Sequence, residues 1–239
     1  EKLARADRRH AREASAWDRD PWLLNTPGGT VDLRTGKIRT QRREDMITKL
    51  TLCAPGGGAP RWCAFQDQIF EGDAEMIAFI QRVLGYSLCG VIREHAFFFF
   101  HGQGANGKSV LLNVWRKIIG DYCVVAPSDL FIASKFERHS TDLAMLRGAR
   151  VVLGHETESG QHWAEAKIKA LIAGDPITAR FIRQDNFTFD PCFTLILAGN
   201  HQPSLKGVGE AFRRRMHIVP FGLTIPERDR DLRLTEKLL

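Results

Sequence analysis

Residues 97–110 read FFFFHGQGANGKSV. Four phenylalanines run straight into a glycine-rich, polar loop. The apolar run is too short for an ordinary helix and greasy at every position, which fits a strand buried on both faces of a parallel sheet. The loop fits G-x-x-x-x-G-K-[ST], with Gly102, Gly107, Lys108 and Ser109 in the fixed places. The segment after it, SVLLNVWRKIIG, sets Val110, Leu111, Val114 and Ile118 on related faces of a helix. Strand, glycine loop and helix in that order make a phosphate cradle. Glycines let backbone N–H groups converge on phosphate oxygens, and the helix N-terminus adds its positive end. Lys108 is expected to reach the β- and γ-phosphates of ATP, and the Ser109 hydroxyl to ligate Mg²⁺. The candidate nucleotide contacts are Gly102, Gly104, Ala105, Asn106, Gly107, Lys108, Ser109 and Val110.

Downstream, three more short apolar runs alternate with mixed segments: ARVVLG (149–154), CFTLILAG (192–199) and MHIVPF (216–221). Strands alternating with helices imply an α/β fold with a parallel sheet flanked by helices. Each run ends or begins on polar residues suited to a nucleotide site. ARVVLG leads into His155-Glu156-Thr157-Glu158, so Glu156 is the expected catalytic acid and a Mg²⁺ ligand, on a strand neighbouring the loop strand. Glu158, two residues on, points the same way in an extended chain and is a second candidate. His155 either contacts metal-bound water or caps the strand end. CFTLILAGN places Asn200 at a strand tip, where it would bond the γ-phosphate or the attacking water. The run Arg213-Arg214-Arg215 precedes the last strand. A charge run is ordinarily a solvated face, yet an arginine supplied to a neighbour's γ-phosphate recurs in ring ATPases. Arg214 and Arg215 are the candidates, and the sequence does not separate them.

Around this core the chain is ordinary. It has 239 residues, 44% hydrophobic and 26% charged, with no apolar run long enough to span a membrane. The five cysteines are scattered, odd in number and never in a C-x-x-C pair, which argues against a disulfide framework or zinc site. The net charge of +6 permits a polyanionic partner without demanding one. Residue 1 is Glu, without a signal-peptide pattern, so the chain reads as part of a longer protein. Residues 1–16 are charged and helix-prone. TVDL and KIRT, joined through Gly36, read as a hairpin with Gly36 in a left-handed turn, and CAPGGGAP (53–60) as a linker. The expected organisation is a small α+β N-terminal region (1–58), a helical collar (59–95) in which Gly85 and Gly90 loosen or end helices, and an ATPase region (96–239).

Taken together, these motifs resemble the superfamily 3 helicases, and most closely their phage- and plasmid-type primase-helicase family, which includes the poxvirus-type primase-helicases. WLLNTPGGTVDLRTGKI is similar to the family's region before the motor, GQGANGKS to its Walker A, RVVLGHETE to its Walker B, KIKALIAGDPITARFIRQDNFTFDP to the segment before the sensor, LAGNHQP to the sensor, and AFRRRMHIVPF to its arginine motif. The resemblance implies an AAA+-like P-loop core, a homo-oligomeric ring, expected to be a hexamer, and ATP-driven movement on single-stranded DNA during replication, commonly 3′ to 5′. It implies a hairpin around ARFIRQDNFTF pointing into the channel, with Arg180, Arg183 and Lys169 contacting DNA phosphates. It also implies a cytoplasmic replication protein of a phage, prophage or its host. Family members often carry a primase domain upstream, and no primase carboxylate triad is identified in this chain. Paired acids are common at the Walker B position of the superfamily; here His155 precedes Glu156, which leaves the Mg²⁺ ligand open. The rival readings are another P-loop ATPase, or an ATP-regulated DNA-binding or assembly module with little turnover.

Overall fold

A computed structural model of the chain describes residues 12–133, 141–155, 162–200 and 209–239. The charged N-terminal stretch lies mostly outside these residues, and its described end holds only a single 3₁₀ turn at Ala14–Ala16. Next comes a three-stranded antiparallel meander of β1 (Leu23–Thr26), β2 (Gly29–Asp32) and β3 (Lys37–Arg39). The hairpin expected from TVDL and KIRT is β2–β3, with Gly36 at φ +69° in its turn. The sequence reading missed β1, which pairs with β2 across Pro27-Gly28. The return from β3 is closed by a bidentate pair: Arg39 donates from Nη1 and Nη2 to the two Asp45 oxygens at 2.8 and 2.7 Å. That pair holds the Asp45 carboxyl below the usual carboxylate range.

Two helices follow, α1 (Pro60–Ile69) and α2 (Ala74–Ser87). Pro60 fits the first turn of α1, where its missing N–H costs nothing. The break between them falls at Gly72-Asp73: Gly72 takes φ +74° and Asp73 caps α2 by accepting from the Met76 amide at 3.0 Å. Gly85, expected to loosen or end a helix, instead sits inside α2.

The main sheet is fully parallel. Its strands are β4 (Phe97–His101), β5 (Cys123–Val125), β6 (Val151–His155), β9 (Thr194–Gly199) and β10 (Met216–Pro220), in the order β10–β4–β9–β6–β5. Between β6 and β9 a small hairpin of β7 (Ile177–Ala179) and β8 (Phe187–Phe189) stands apart from it. Helix α3 (Lys108–Ile119) follows β4, the short α4 (Thr141–Ala144) precedes β6, and α5 (Glu165–Ala173) follows β6. Two four-residue turns, α6 (Glu210–Arg213) and α7 (Leu234–Lys237), flank β10. The edge strand β5 escaped the sequence reading because its three residues carry little periodic signal.

The four phenylalanines explain the layering. Successive side chains of a strand point to opposite faces. Phe98 and Phe100 enter the core formed with Leu111, Leu112 and Trp115 of α3, while Phe97 and Phe99 enter the core formed with Ile168, Leu171 and Ile172 of α5. All four are buried. Removing any one ring should cost about 3–5 kcal/mol, because each sits in a filled layer.

At the opposite end of the sheet from the glycine loop, Arg150 fastens three segments together. It is 6% exposed, donates to the carbonyls of Leu23 and Leu88 at 2.7 Å each, and stacks 4.7 Å from the Tyr122 ring centre. Burial pushes its pKa below the ordinary guanidinium value. Arg150→Met should strand both carbonyls, at about 1–3 kcal/mol each, and lower the melting temperature by roughly 5–10 °C. Arg82→Met on the exposed face of α2 serves as the control, with little expected change; equal melting of the two variants would show that the bonds to Leu23 and Leu88 hold nothing in place.

Candidate nucleotide site

The glycine loop leaves the C-terminal end of β4 and opens α3. Gly104 (φ +101°), Ala105 (φ +49°) and Gly107 (φ +80°) bend it through left-handed backbone conformations. Gly107 stands at the N-cap of α3 and brings no side chain to cap it, so beyond the Lys108 amide, which Asn106 takes, the helix start presents N–H groups suited to an oxyanion. Two glycines are fixed by space. A Cβ on Gly102 would lie 2.3 Å from Asn106 Nδ2 and 2.5 Å from the Phe221 carbonyl, and one on Gly107 would lie 2.4 Å from Ile69 Cγ2. The helix α1 therefore backs directly onto the loop.

Lys108 is 5% exposed. Its Nζ donates to the Gly102 carbonyl at 3.0 Å, to the Gly199 carbonyl, and to Asn200 Oδ1 at 3.3 Å. These groups come from the tips of β4 and β9, which are adjacent strands. The lysine and the asparagine singled out by sequence, 92 positions apart, thus meet in one place. A buried ammonium needs oxygen partners, and here carbonyl and amide dipoles supply them at the point where phosphate oxygens would compete. Ser109, the next residue, is exposed at the start of α3. Val110 is half-buried and turned to the α1–α3 core.

Asn106 does a different job from its loop neighbours. It is buried, its Oδ1 accepts from the Lys108 amide at 3.3 Å, and its Nδ2 donates to the Phe221 carbonyl at 3.3 Å. The segment after β10 is tied on twice more: Phe221 N–H donates to the His101 carbonyl, and Ile225 N–H to the Ala105 carbonyl, each at 2.7 Å. Sequence reading missed this strap. The Pro220-Phe221 pair marks where β10 ends and carries no sign of what the following residues cover.

The other candidates are dispersed. β6 ends at His155, whose side chain is exposed, while Glu156 and Glu158 lie outside the described residues. β6 is not adjacent to β4 as expected; β9 stands between them. Arg213, Arg214 and Arg215 precede β10, which runs parallel to β4 with Met216 opposite Phe97. They therefore lie at the end of the sheet away from the loop, about 16 Å along a five-residue strand. Arg215 is held by a 2.6 Å bond from Nη1 to the Ala211 carbonyl, whereas Arg214 is exposed. Arg180 and Arg183 are exposed in the turn of the β7–β8 hairpin, beside the stacked rings of Phe181 and Phe187 and an Ile182 that is 76% exposed. Lys169 is half-buried on α5. Among the described residues there is no cluster of three metal-ligating side chains, and no helix is long and apolar enough to cross a membrane.

Asn106→Ala should loosen the loop without unfolding the sheet. Amide exchange at Lys108 should speed up about tenfold for each ~1.4 kcal/mol lost, with β9 amides unchanged; unchanged exchange at Lys108 would show that Asn106 does not hold the loop.

Comparison with known proteins agrees with this architecture. Residues 1–71 match the family described as "D5 N terminal like", and residues 100–215 match a "Family of unknown function (DUF5906)". A protein of Acanthamoeba polyphaga mimivirus named as a "putative helicase" is 26% identical over 214 residues, covering 85% of this chain and 22% of the relative. One of Invertebrate iridescent virus 3, also named a "putative helicase", is 25% identical over 217 residues, covering 85% and 23%. A "putative primase" of African swine fever virus is 24% identical over 196 residues, covering 77% and 20%. The chain thus spans about a fifth of the length of these relatives. The apo structure of the NrS-1 C-terminal region has the same fold, with a TM-score of 0.66 at 14% identity over 94% of this chain and 51% of that one. The D5 N-terminal-like segment and these relatives, named as helicases and primases of large DNA viruses, make the chain similar to primase-helicases.

Proposed function

We propose that the chain is the ATP-hydrolysing motor portion of a replicative DNA helicase, working on single-stranded DNA in a ring of copies of itself, with six the expected number. The observation that carries this reading is the meeting of Lys108 and Asn200 at the tips of β4 and β9, on the floor of a loop built for phosphate. ATP would lie on Gly102–Val110. Lys108 would exchange its carbonyl partners for β- and γ-phosphate oxygens, where its charge is worth most as the γ-phosphoryl leaves. Asn200 would orient the attacking water, and Glu156 would accept its proton, giving ADP and phosphate. Ser109 and Glu156 would hold Mg²⁺, which would supply positive charge against the phosphate oxygens.

The parallel pairing of β10 supports the ring. Arginines at the base of that strand face away from their own loop, so a γ-phosphate within their reach would belong to another copy. Head-to-tail contacts of that kind close into rings. Because Arg215 is tied to Ala211 and Arg214 is exposed, Arg214 is the stronger candidate for the donated arginine. Arg180 and Arg183 on the hairpin turn would meet DNA phosphates, with Lys169 a third candidate on α5. A primase domain in the longer protein and a cytoplasmic site of action belong to the same reading.

The test is ATP hydrolysis with and without single-stranded DNA. The unaltered chain should be stimulated by DNA. Lys108→Ala should lose about 100-fold or more in turnover, and Arg180→Ala with Arg183→Ala should keep basal hydrolysis while losing stimulation and flattening the salt dependence of DNA binding. Hydrolysis indifferent to DNA in all three would favour a P-loop ATPase or assembly module of another kind.

A further inference from the structure

A cavity of about 350 Å³ lies at the base of the main sheet, far from the glycine loop. It is framed by the starts of β5, β6 and β9, through Tyr122, Arg150 and Cys192, and by the N-terminal segment, through Asp18 and Arg19. That is on the order of ten times the volume of one water molecule. The strand β6 separates it from the nucleotide end by about 16 Å, so it is a different site.

Its charges do not balance. Arg19, Lys49 and Arg150 line it, against Asp18 and Asp190. Asp18 is already engaged, accepting from both the amide and the hydroxyl of Thr48. Arg150 is buried, yet its hydrogen bonds run to two carbonyls and its stacking partner is a phenol ring; no carboxylate bonds it. Those two bonds use two of the five N–H donors of a guanidinium. Arg19 is exposed and forms no ion pair among the described residues. Asp18 acts on Arg150 only from a distance, and Lys49 donates to the Asp121 carbonyl at 3.2 Å, so among the described residues no carboxylate is bonded to either cation; a bound anion would offset the burial of Arg150. We propose that the cavity is an anion site for a small phosphate-bearing ligand, held between Arg150, Lys49 and Arg19, which would fasten the N-terminal segment to the base of the sheet.

Inorganic phosphate is the probe, titrated calorimetrically into the Lys108→Ala chain so that the nucleotide loop contributes little. Phosphate should bind, raise the melting temperature, and slow alkylation of Cys192, which lines the cavity. Arg19→Ala and Lys49→Met should each weaken phosphate binding about tenfold, while Arg82→Ala on α2 should not change it. Arg19→Ala removes an exposed side chain and keeps the fold, so it decides the matter if Lys49→Met is unstable. Phosphate affinity unchanged by Arg19→Ala, or Cys192 alkylation indifferent to phosphate, overturns the proposal. Because the site and its readouts are independent of ATP turnover, they fail or succeed separately from the helicase reading.

Discussion

A strand that is apolar on both faces must be covered on both faces, and this one constraint organises the molecule. Phe97 through Phe100 send alternate rings into two cores, so β4 is gripped by α3 on one side and by α5 and Trp163 on the other. Parallel neighbours, β9 and β10, satisfy its backbone. The result is a rigid rod whose free end is the glycine loop. A loop of left-handed residues would have little positional precision on its own. Mounted on β4, closed by Asn106 and backed by Ile69, it has a defined shape before any ligand arrives. Such preorganisation is what an electrostatic catalyst requires, since dipoles that must first reorient stabilise less.

The same geometry gives β10 two roles. Its upper end ties to the loop through Phe221 and Ile225, and its lower end carries the arginine run. One five-residue strand therefore joins the floor of the proposed phosphate site to the side chains that would reach a neighbour's. In a ring, nucleotide-dependent movement of the loop would be felt at the next site without a long relay. Such coupling would rest on the strand order, with β10 beside β4, and not on any single residue.

Much of this was legible in the sequence because the signals are local. The phenylalanine run, the loop pattern and the apolar runs ending at Gly154 and Gly199 each encode burial and a turn within ten residues, and they fixed four of the five main strands. The sequence placed Lys108 and Asn200 each at a strand tip facing a phosphate; their direct contact follows from β9 lying beside β4. What escaped was non-local or weakly periodic. β1 and β5 are short and borrow their order from partners. The insertion of β9 between β4 and β6 depends on the order of crossovers, which no single segment records. Gln66 is buried with both amide atoms unpartnered among the described residues, and its helical pattern gave no warning of that. Arg150 looked like any charge beside a strand; its role as a fastener appears only when Leu23 and Leu88 arrive from distant positions.

The central claim is that the loop after β4 holds a triphosphate by taking Lys108 from its carbonyl partners. A structure of the chain with Mg²⁺ and a non-hydrolysable ATP analogue tests it most directly. The account predicts the analogue on residues 102–110, the Lys108 ammonium moved from the Gly102 and Gly199 carbonyls to the β- and γ-phosphates, and Asn200 within hydrogen-bond reach of the terminal phosphate. An analogue bound elsewhere, with Lys108 still on those carbonyls, would contradict it.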